Sequence, residues 1–393
     1  MISKWPHFSD EQIKSVVNVL SSGKVNAWQG EECKLFESEF SKFCGCKYSI
    51  AVSNGSLALS LCYLAIGVKP GDEIITTPRS FIATASSIAL LKAIPIFADV
   101  DINSGCITEK TIRPLITKKT KAISIVHFAG WPAEMDKVVR LAKEFNLFVI
   151  EDCAQAHGGG IKINQKFNSV GSFGDVAAWS FCTDKIISTG GEGGMVTTNS
   201  KQLWELMWSF KDHGKDYQKV LNKGNHIGFK WLHDKFGSNF RMTEIQAAIG
   251  RKQLRCLTEW SKRRKENAEI IVSAISKIPL IRIPINKENE IHAWYKFYCY
   301  LELEYLEKGW DQNKIVQEIN SLNYPAYHGG CSEVYLEKCF ENSKYKPEKR
   351  LTNAKKLGET SLMFLVDPTI HRNEMVNYAK VISRVLKNAC KNY

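Results

Sequence analysis

Residues 147–157 read LFVIEDCAQAH, and residues 176–185 read VAAWSFCTDK. Each stretch begins with a short, almost continuous apolar run, which is typical of a parallel strand covered by helices on both faces. Asp152 follows the first run, and Lys185 follows the second. Because ligands bind at the carboxyl ends of parallel strands, this pattern predicts an acid and an amine at one rim of a sheet.

Similar short apolar runs alternate with segments of helical spacing on both sides of these stretches. They predict strands at residues 48–52, 73–76, 94–97, 122–126, 147–150, 176–181 and 194–198. The alternation over about residues 30–245 predicts an α/β fold with a mainly parallel sheet flanked by helices.

Helices are predicted at both ends of this pattern. Ser9 or Asp10 caps a first helix, and Gly23 ends it. Helical spacing dominates again from residue 242 to about 278, and the remaining residues mix helices with strands, one of which is predicted at residues 294–301. We therefore predict a large domain over residues 1–250 and a smaller C-terminal α+β domain over residues 251–393.

The composition excludes several classes of protein. With 393 residues, 44% of them hydrophobic and 24% charged, the chain resembles an ordinary globular protein and not a disordered one. No run approaches the roughly 18 apolar residues of a membrane span, and the N-terminus lacks the apolar core of a signal peptide. We therefore expect a cytoplasmic protein without a membrane partner.

The twelve cysteines are spread singly, apart from Cys44 and Cys46, whose spacing is not that of a zinc site. We expect reduced thiols and no metal. The net charge of +12 is scattered, with only short basic runs such as residues 262–265, and no nucleic-acid-binding module is recognisable. We therefore expect no nucleic-acid partner, although a positive field also suits a substrate that carries a diphosphate.

Lys185 and Asp152 are the two groups that pyridoxal 5'-phosphate (PLP) chemistry requires. A lysine forms an imine with the cofactor aldehyde, and a carboxylate keeps the pyridine nitrogen protonated so that the ring withdraws electrons. Taken singly, Lys185 could equally be an ordinary exposed lysine, and Asp152 an aspartate that caps a helix. Their position at one predicted rim favours the cofactor.

Other positions suit a phosphate and an aromatic ring. Gly55 and Ser56 follow the first predicted strand and open a helix, whose N-terminus provides free backbone N–H groups. Alone, this pattern is typical of any capped helix. Ser180 can provide a second hydroxyl. Phe81 either stacks on a cofactor ring or belongs to the core.

In this order, the motifs resemble the DegT/StrS family of sugar-nucleotide aminotransferases, PLP enzymes of fold type I. The resemblance rests on EDCAQAH at 151–157, GSFGDVAAWSFCTDK at 171–185, GGEGG at 190–194, and further stretches at 52–59, 70–85, 126–136 and 237–249. It extends from about residue 23 to residue 254 and is weaker beyond.

The resemblance implies a homodimer with shared active sites and eight cofactor contacts. These contacts are Lys185 (Schiff base), Asp152 (pyridinium nitrogen), Gln155 (phenolic oxygen), Phe81 (ring stacking), Gly55, Ser56 and Ser180 (phosphate), and Asn239 (phosphate of the partner subunit). Catalysis is thereby assigned to Lys185 and Asp152.

The resemblance also implies L-glutamate as the amino donor and a nucleotide-linked keto sugar as the acceptor. A dTDP- or UDP-linked 4-keto-6-deoxyhexose is the first expectation, and a C3 keto sugar is the second. Arg79 stands where many relatives have a small residue, which suggests substrate recognition. Arg241 is expected near the site, and His328 lies in a stretch that resembles a substrate-facing loop.

Two other functions on the same fold are less consistent with the residues. The related PLP-dependent sugar dehydratases carry histidine at the position of Lys185. A regulatory protein that lost catalysis would be expected to lose Lys185 or Asp152, and this chain has both.

Overall fold

The computed structural model of the protein describes residues 2–222, 231–341 and 343–391. Its helices are α1 (Asp10–Ser22), α2 (Glu32–Cys44), α3 (Gly55–Ala65), α4 (Ala83–Leu90), α5 (Glu109–Ile112), α6 (Met135–Glu144), α7 (Lys201–Lys211), α8 (Tyr217–Leu221), α9 (Glu244–Ile275), α10 (Gln312–Ser321), α11 (Thr352–Thr360) and α12 (Arg372–Asn388). Its strands are β1 (Tyr48–Val52), β2 (Glu73–Thr76), β3 (Ile94–Phe97), β4 (Thr120–Val126), β5 (Phe148–Asp152), β6 (Gly160–Ile163), β7 (Lys166–Ser169), β8 (Val176–Ser180), β9 (Gly194–Thr198), β10 (Ile281–Arg282), β11 (Glu290–Ile291), β12 (Phe297–Leu301), β13 (Ala326–Tyr327) and β14 (Ser361–Phe364).

The largest sheet has seven strands in the order β1-β9-β8-β5-β4-β2-β3. Strands β3, β2, β4, β5 and β8 are parallel to one another, and β9 is antiparallel to both β8 and β1. The predicted mainly parallel α/β fold is thereby confirmed. Strands β5 and β8 are neighbours, with Asp152 opposite Ala178. The chain therefore leaves both strands at the same rim, and Lys185 follows β8 there.

Local signals in the sequence set the limits of α1. The Ser9 hydroxyl accepts a hydrogen bond from the Gln12 N–H, and the Gln12 side chain accepts one from the Ser9 N–H. This reciprocal pair satisfies two backbone donors that a helix start leaves open. Gly23 ends the helix in the left-handed conformation at a φ of 68°, as the sequence predicts.

Helix α9 joins the two parts of the molecule. Its first half contributes Ala247 and Leu257 to the core beneath the large sheet, whereas Ala268 and Ile271 belong to the C-terminal core. The helix passes residue 250 without a break. The division between residues 250 and 251 therefore falls inside one rigid element, and two separate domains remain a prediction.

The C-terminal region contains a four-stranded antiparallel sheet in the order β10-β12-β14-β13. A strand predicted at residues 294–301 begins only at Phe297. Trp294 has a φ of 51°, a conformation that interrupts an extended strand. A second small sheet pairs β11 with β6 and β6 with β7. Among the described residues, no helix is long and apolar enough to cross a membrane.

Candidate active site

A cavity of about 840 Å³ lies at the carboxyl ends of β5 and β8. We call its lining between residues 54 and 192 the large-domain wall, and its lining between residues 295 and 365 the C-terminal wall. The large-domain wall includes seven of the eight predicted cofactor contacts, namely Gly55, Ser56, Phe81, Asp152, Gln155, Ser180 and Lys185. The structure thus brings together most of the site that the sequence predicts.

Asp152 is the last residue of β5, and its side chain is almost entirely buried. One carboxylate oxygen, Oδ2, accepts a hydrogen bond from the Thr84 hydroxyl at 2.8 Å, and Oδ1 accepts one from the Ala154 N–H at 3.1 Å. Burial raises the pKa of the Asp152 carboxyl, while both donors and the positive charge of Lys185 favour its ionised form. A protonated ring nitrogen beside Asp152 would offset the cost of burying this carboxylate.

Thr84, which the sequence analysis missed, also contacts Ser80 at 2.9 Å between the two hydroxyl oxygens. Thr84 lies in the first turn of α4, and both residues line the cavity. Its signal in the sequence is weak, because a threonine in an apolar helix is usually structural. The hydroxyl becomes informative only once α4 is seen packed against the end of β5.

Glu151 precedes Asp152 on β5, and strand geometry places the two side chains on opposite faces of the sheet. The Glu151 carboxylate accepts hydrogen bonds from the backbone N–H groups of Gly171, Phe173 and Gly174 at 2.6 to 2.8 Å. It also pairs with His127 Nε2 at 3.0 Å. Glu151 therefore holds the loop before β8 and so helps to position the strand that leads to Lys185.

Lys185 lies in the turn that follows β8, and about 15% of its side chain is exposed. Its ammonium nitrogen Nζ is 3.7 Å from Asp184 Oδ1 and 5.2 Å from the centre of the Tyr295 ring. Tyr295 in turn donates a hydrogen bond to Asp184 Oδ2. Trp5 Nε1 donates to the Lys185 carbonyl at 2.9 Å. These contacts fix the lysine backbone and leave its amine at the cavity.

The N-terminus of α3 and Ser180 form a small cradle at the same rim. Asn54 caps α3 by accepting a hydrogen bond from the Leu57 N–H at 2.9 Å. The other backbone N–H groups of a first helical turn have no partner within the helix, so they can bind a ligand. A Cβ atom at position 55 would lie 2.6 Å from Ser180 Cβ, so only glycine permits this approach. Backbone N–H groups and hydroxyls at a helix N-terminus suit a phosphate.

Gln155 and Phe81 complete the predicted cofactor contacts in the large-domain wall. Gln155 Oε1 accepts a hydrogen bond from the Ala129 N–H at 2.7 Å. Because the oxygen is used in this way, the NH2 group of the Gln155 side chain is the part that can donate to a ligand. A phenolic oxygen is a suitable acceptor for such a donor. About 68% of Phe81 is exposed in the single chain, so it is not a core residue. The cradle, the buried acid, the amine and this aromatic face together fit PLP.

Arg79 does not belong to the described lining of the cavity, although the sequence suggested a substrate contact. Its guanidinium is fully buried behind the cavity and lies 4.4 Å from the centre of the Phe128 ring. Its Nη1 donates to the Ser332 hydroxyl at 2.9 Å, and its Nη2 donates to the Tyr300 hydroxyl at 3.3 Å. Arg79 therefore links the end of β2 to the C-terminal region.

Three other predicted residues also lie outside the described lining. Arg241 pairs with Asp212 at 2.9 Å, and the exposed His328 bonds through Nε2 to the Asn313 side chain at 2.8 Å. Asn239 is exposed and accepts a hydrogen bond from the Arg241 N–H at 3.2 Å. An exposed Asn239 is compatible with contact to a second subunit. The roles of these residues stay predictions.

The C-terminal wall includes Lys296, another residue that the sequence analysis missed. Lys296 directly precedes β12 and is half-buried. Burial lowers its pKa to about 8, with Arg264 acting in the same direction. One lysine among many in a basic chain has no distinguishing signal, so only the fold reveals this position.

Comparison with known proteins identifies the family of the chain. Residues 6–384 match the DegT/DnrJ/EryC1/StrS aminotransferase family. The chain is 37% identical over 290 residues to GDP-perosamine synthase of Escherichia coli O157:H7, which covers 74% of this chain and 75% of that protein. It is also 37% identical over 292 residues to dTDP-3-amino-3,6-dideoxy-alpha-D-galactopyranose transaminase of Aneurinibacillus thermoaerophilus, which covers 73% of this chain and 74% of that protein.

A solved structure extends the likeness over nearly the whole chain. The aminotransferase from Psychrobacter cryohalolentis superposes with a TM-score of 0.95 and is 47% identical. The match covers 98% of this chain and 99% of that one. The C-terminal wall of the cavity therefore lies within the shared fold, where the sequence resemblance alone was weak.

Proposed function

The chain belongs to the DegT/DnrJ/EryC1/StrS aminotransferase family, and we propose that it transfers the amino group of L-glutamate to a nucleotide-linked keto sugar. As predicted, it is a PLP-dependent aminotransferase. The observation that carries the proposal is that the buried Asp152 and the Lys185 amine line one cavity, beside the cradle formed by the N-terminus of α3 and Ser180.

The large-domain wall suggests how the residues divide the work. When bound, PLP supplies an aldehyde carbon that reacts with amines and a ring that withdraws electrons. Asp152 would hold a proton on the ring nitrogen, and Gly55, Ser56 and Ser180 would bind the phosphate. Lys185 Nζ would bind the cofactor and, once released, would move a proton from the donor carbon to the former aldehyde carbon of the cofactor.

The neighbours of Lys185 suit a base that moves between two positions. Asp184 balances the lysine charge at 3.7 Å, a distance longer than a direct hydrogen bond. The amine is therefore held near the cavity without being locked in one geometry. Tyr295 binds the other oxygen of Asp184 and so keeps that carboxylate in place.

For the acceptor we propose a dTDP- or UDP-linked 4-keto-6-deoxyhexose first and a C3 keto sugar second, for amino-sugar and polysaccharide biosynthesis. The two relatives support this class, since one is named for a GDP-linked and the other for a dTDP-linked amino sugar. The two relatives also differ in the nucleotide, so a substrate panel should include dTDP-, UDP- and GDP-linked sugars.

We further propose that the protein is a homodimer in the cytoplasm. Ile13, Val17 and Leu20 of α1 each have more than half of their surface exposed in the single chain, an apolar stripe suited to a partner. All twelve cysteines are free, as expected in a reducing compartment. Asn239 would reach the partner's cofactor phosphate.

The shared site has a geometric test. We expect co-expressed Lys185→Ala and Asn239→Ala subunits to form a mixed dimer with about half of the wild-type activity at limiting PLP, because one of its two sites collects both lesions. The Asn239→Ala homodimer must first show impaired activity under the same conditions. No recovery in the mixed dimer would mean that Asn239 serves its own subunit.

A substrate panel tests the reaction itself. We expect purified protein, given PLP and L-glutamate, to convert at least one dTDP-, UDP- or GDP-linked 3-keto or 4-keto sugar to an amino sugar, with 2-oxoglutarate formed in equal amount. Mass spectrometry of the product distinguishes amination from a dehydration that releases a deoxy sugar. Loss of product in the Lys185→Ala variant is the matched control, and absence of any amino sugar would contradict the proposal.

A further inference from the structure

Two ammonium groups line the cavity among the described residues, those of Lys185 and Lys296. They belong to opposite walls, yet both lie against the same aromatic ring. Lys185 Nζ is 5.2 Å and Lys296 Nζ is 5.0 Å from the centre of the Tyr295 ring. If Lys185 binds the cofactor, Lys296 is the one remaining cation of this described lining.

Lys296 has no ion pair within the described parts of the chain. The carboxylate nearest to the two lysines is engaged, since Asp184 Oδ1 faces Lys185 and Asp184 Oδ2 accepts from Tyr295. Residues 223–230, which the structure does not describe, contain no acidic side chain. Asp184 and Asp367 favour the charged form of Lys296 from beyond ion-pair distance, but burial and Arg264 outweigh them and lower its pKa. An incoming anion would therefore reduce the cost of keeping this ammonium charged.

The two arginines that the sequence placed near the substrate have other partners within the chain. Arg79 is enclosed by Phe128 and donates to Ser332 and Tyr300, and Arg241 is paired with Asp212. Neither residue belongs to the described lining of the cavity. Among the described residues of one chain, Lys296 is therefore the best-placed cation for an anion that enters the cavity.

Two substrates of the proposed reaction carry anionic oxygens. In L-glutamate a carboxylate is attached to the same carbon as the reacting amine. In a nucleotide sugar the diphosphate is attached at C1, away from a carbonyl at C3 or C4. Since the ammonium groups of Lys185 and Lys296 each lie about 5 Å from the centre of one ring, an anion bound by Lys296 would lie on the Lys185 side of the cavity, and this geometry favours the amino donor.

We propose that Lys296 binds the α-carboxylate of the amino donor, the one on the carbon that carries the reacting amine, and thereby sets the affinity for L-glutamate. This inference rests on the proposed aminotransferase function. Lys296 is a binding residue in it and takes no part in proton transfer. Its removal is then expected to change saturation by the donor and to leave saturation by the keto sugar unchanged.

The two half-reactions, each followed in a single turnover, separate these effects. The PLP-loaded protein is titrated with L-glutamate and followed by the visible absorbance of the cofactor, and the aminated protein is titrated with the keto sugar. We expect Lys296→Met to raise the half-saturating L-glutamate concentration about ten- to hundredfold, the loss typical of a charge-assisted hydrogen bond. The limiting rate and the half-saturating keto-sugar concentration should stay within about twofold of wild type.

Three controls complete the design. Lys296→Arg keeps a cation and should retain most of the affinity for L-glutamate. Lys296→Gln removes the cation and should lose that affinity, so it replaces Lys296→Met if the methionine variant does not fold. Lys277→Met removes an exposed lysine that lies outside the described lining of the cavity and should behave as wild type. Thermal melting and the absorbance of bound cofactor verify folding.

The outcomes are distinct. Unchanged L-glutamate saturation in Lys296→Met, or a change confined to the keto-sugar half-reaction, overturns the inference while the aminotransferase function stands. If the wild-type protein itself forms no 2-oxoglutarate from L-glutamate, the proposed function fails, and the role of Lys296 fails with it.

Discussion

The two walls of the cavity are built in different ways. In the large-domain wall, functional groups lie at the ends of strands and helices, and several of their contacts are local, such as Asp152 with the Ala154 N–H and Asn54 with the Leu57 N–H. Other contacts there join separate elements, such as Thr84 with Asp152. In the C-terminal wall, one such contact joins a loop residue to β12. Gly330 donates to the Tyr298 hydroxyl at 2.9 Å.

This difference indicates where chemistry and substrate choice are set. The groups of the large-domain wall are placed by strand ends and a helix start of one sheet and its helices, which suits cofactor chemistry. The position of the C-terminal wall depends on how the C-terminal region packs, which suits a wall that adapts to one substrate. Substitutions in the large-domain wall should therefore lower the rate, and substitutions behind the C-terminal wall should alter stability and saturation.

The largest effect is expected for Lys185→Ala. Loss of the amine removes both the covalent attachment to the cofactor and the proton carrier, so turnover should fall by about a thousandfold or more. The protein should remain folded and bind PLP reversibly, as measured by dialysis and absorbance. Wild-type-like release of 2-oxoglutarate in this variant would show that the large-domain wall is not the reactive one.

Asp152→Ala should have the next largest effect. Without the carboxylate, nothing in this position keeps the ring nitrogen protonated, and the rate should fall by about a hundred- to a thousandfold, as for other lost catalytic charges. Asp152→Glu keeps the charge and should lose less. A loss below about tenfold in kcat, measured at saturating PLP, would contradict the assignment.

Thr84→Val tests a weaker contact in the same wall. The Thr84 hydroxyl favours the ionised form of Asp152, so its removal should raise the pKa of that carboxyl further. The carboxylate would then become protonated at a higher pH, and activity on the acidic side of the pH profile should be lost earlier. We expect about a tenfold lower rate at neutral pH, and Thr84→Ser should restore the profile.

The smallest effect on rate is expected behind the C-terminal wall. Arg79→Met removes two hydrogen bonds that join β2 to the C-terminal region, and the free energy of unfolding should fall by about 1–3 kcal/mol. Saturation by substrate should weaken while kcat changes little, because Arg79 lies outside the described lining. A large fall in kcat with unchanged stability would instead indicate direct contact with the substrate. Arg79→Lys, which keeps the charge but not the planar fork, should be intermediate.

Much of the fold was predictable because its signals are local. Four of the seven predicted strands match the observed bounds of β1, β2, β3 and β9, since each is a short apolar run between turns. The cap at Ser9 and the stop at Gly23 were readable for the same reason. The strand predicted from residue 294 started too early, because the unusual backbone of Trp294 leaves no trace in the apolar pattern.

The sequence by itself determined that Asp152 and Lys185 lie at the ends of strands, because strand identity follows from short apolar runs and ligands collect at strand ends. Tertiary structure alone decided which cations reach the cavity. Arg79 and Ser332 are 253 positions apart, and their hydrogen bond links two parts of the molecule, while a contact of Arg79 with the substrate stays a prediction. Lys296 enters the lining only because the C-terminal region folds over the sheet. Contacts across such separations depend on the packing of whole elements, which no local pattern of residues records.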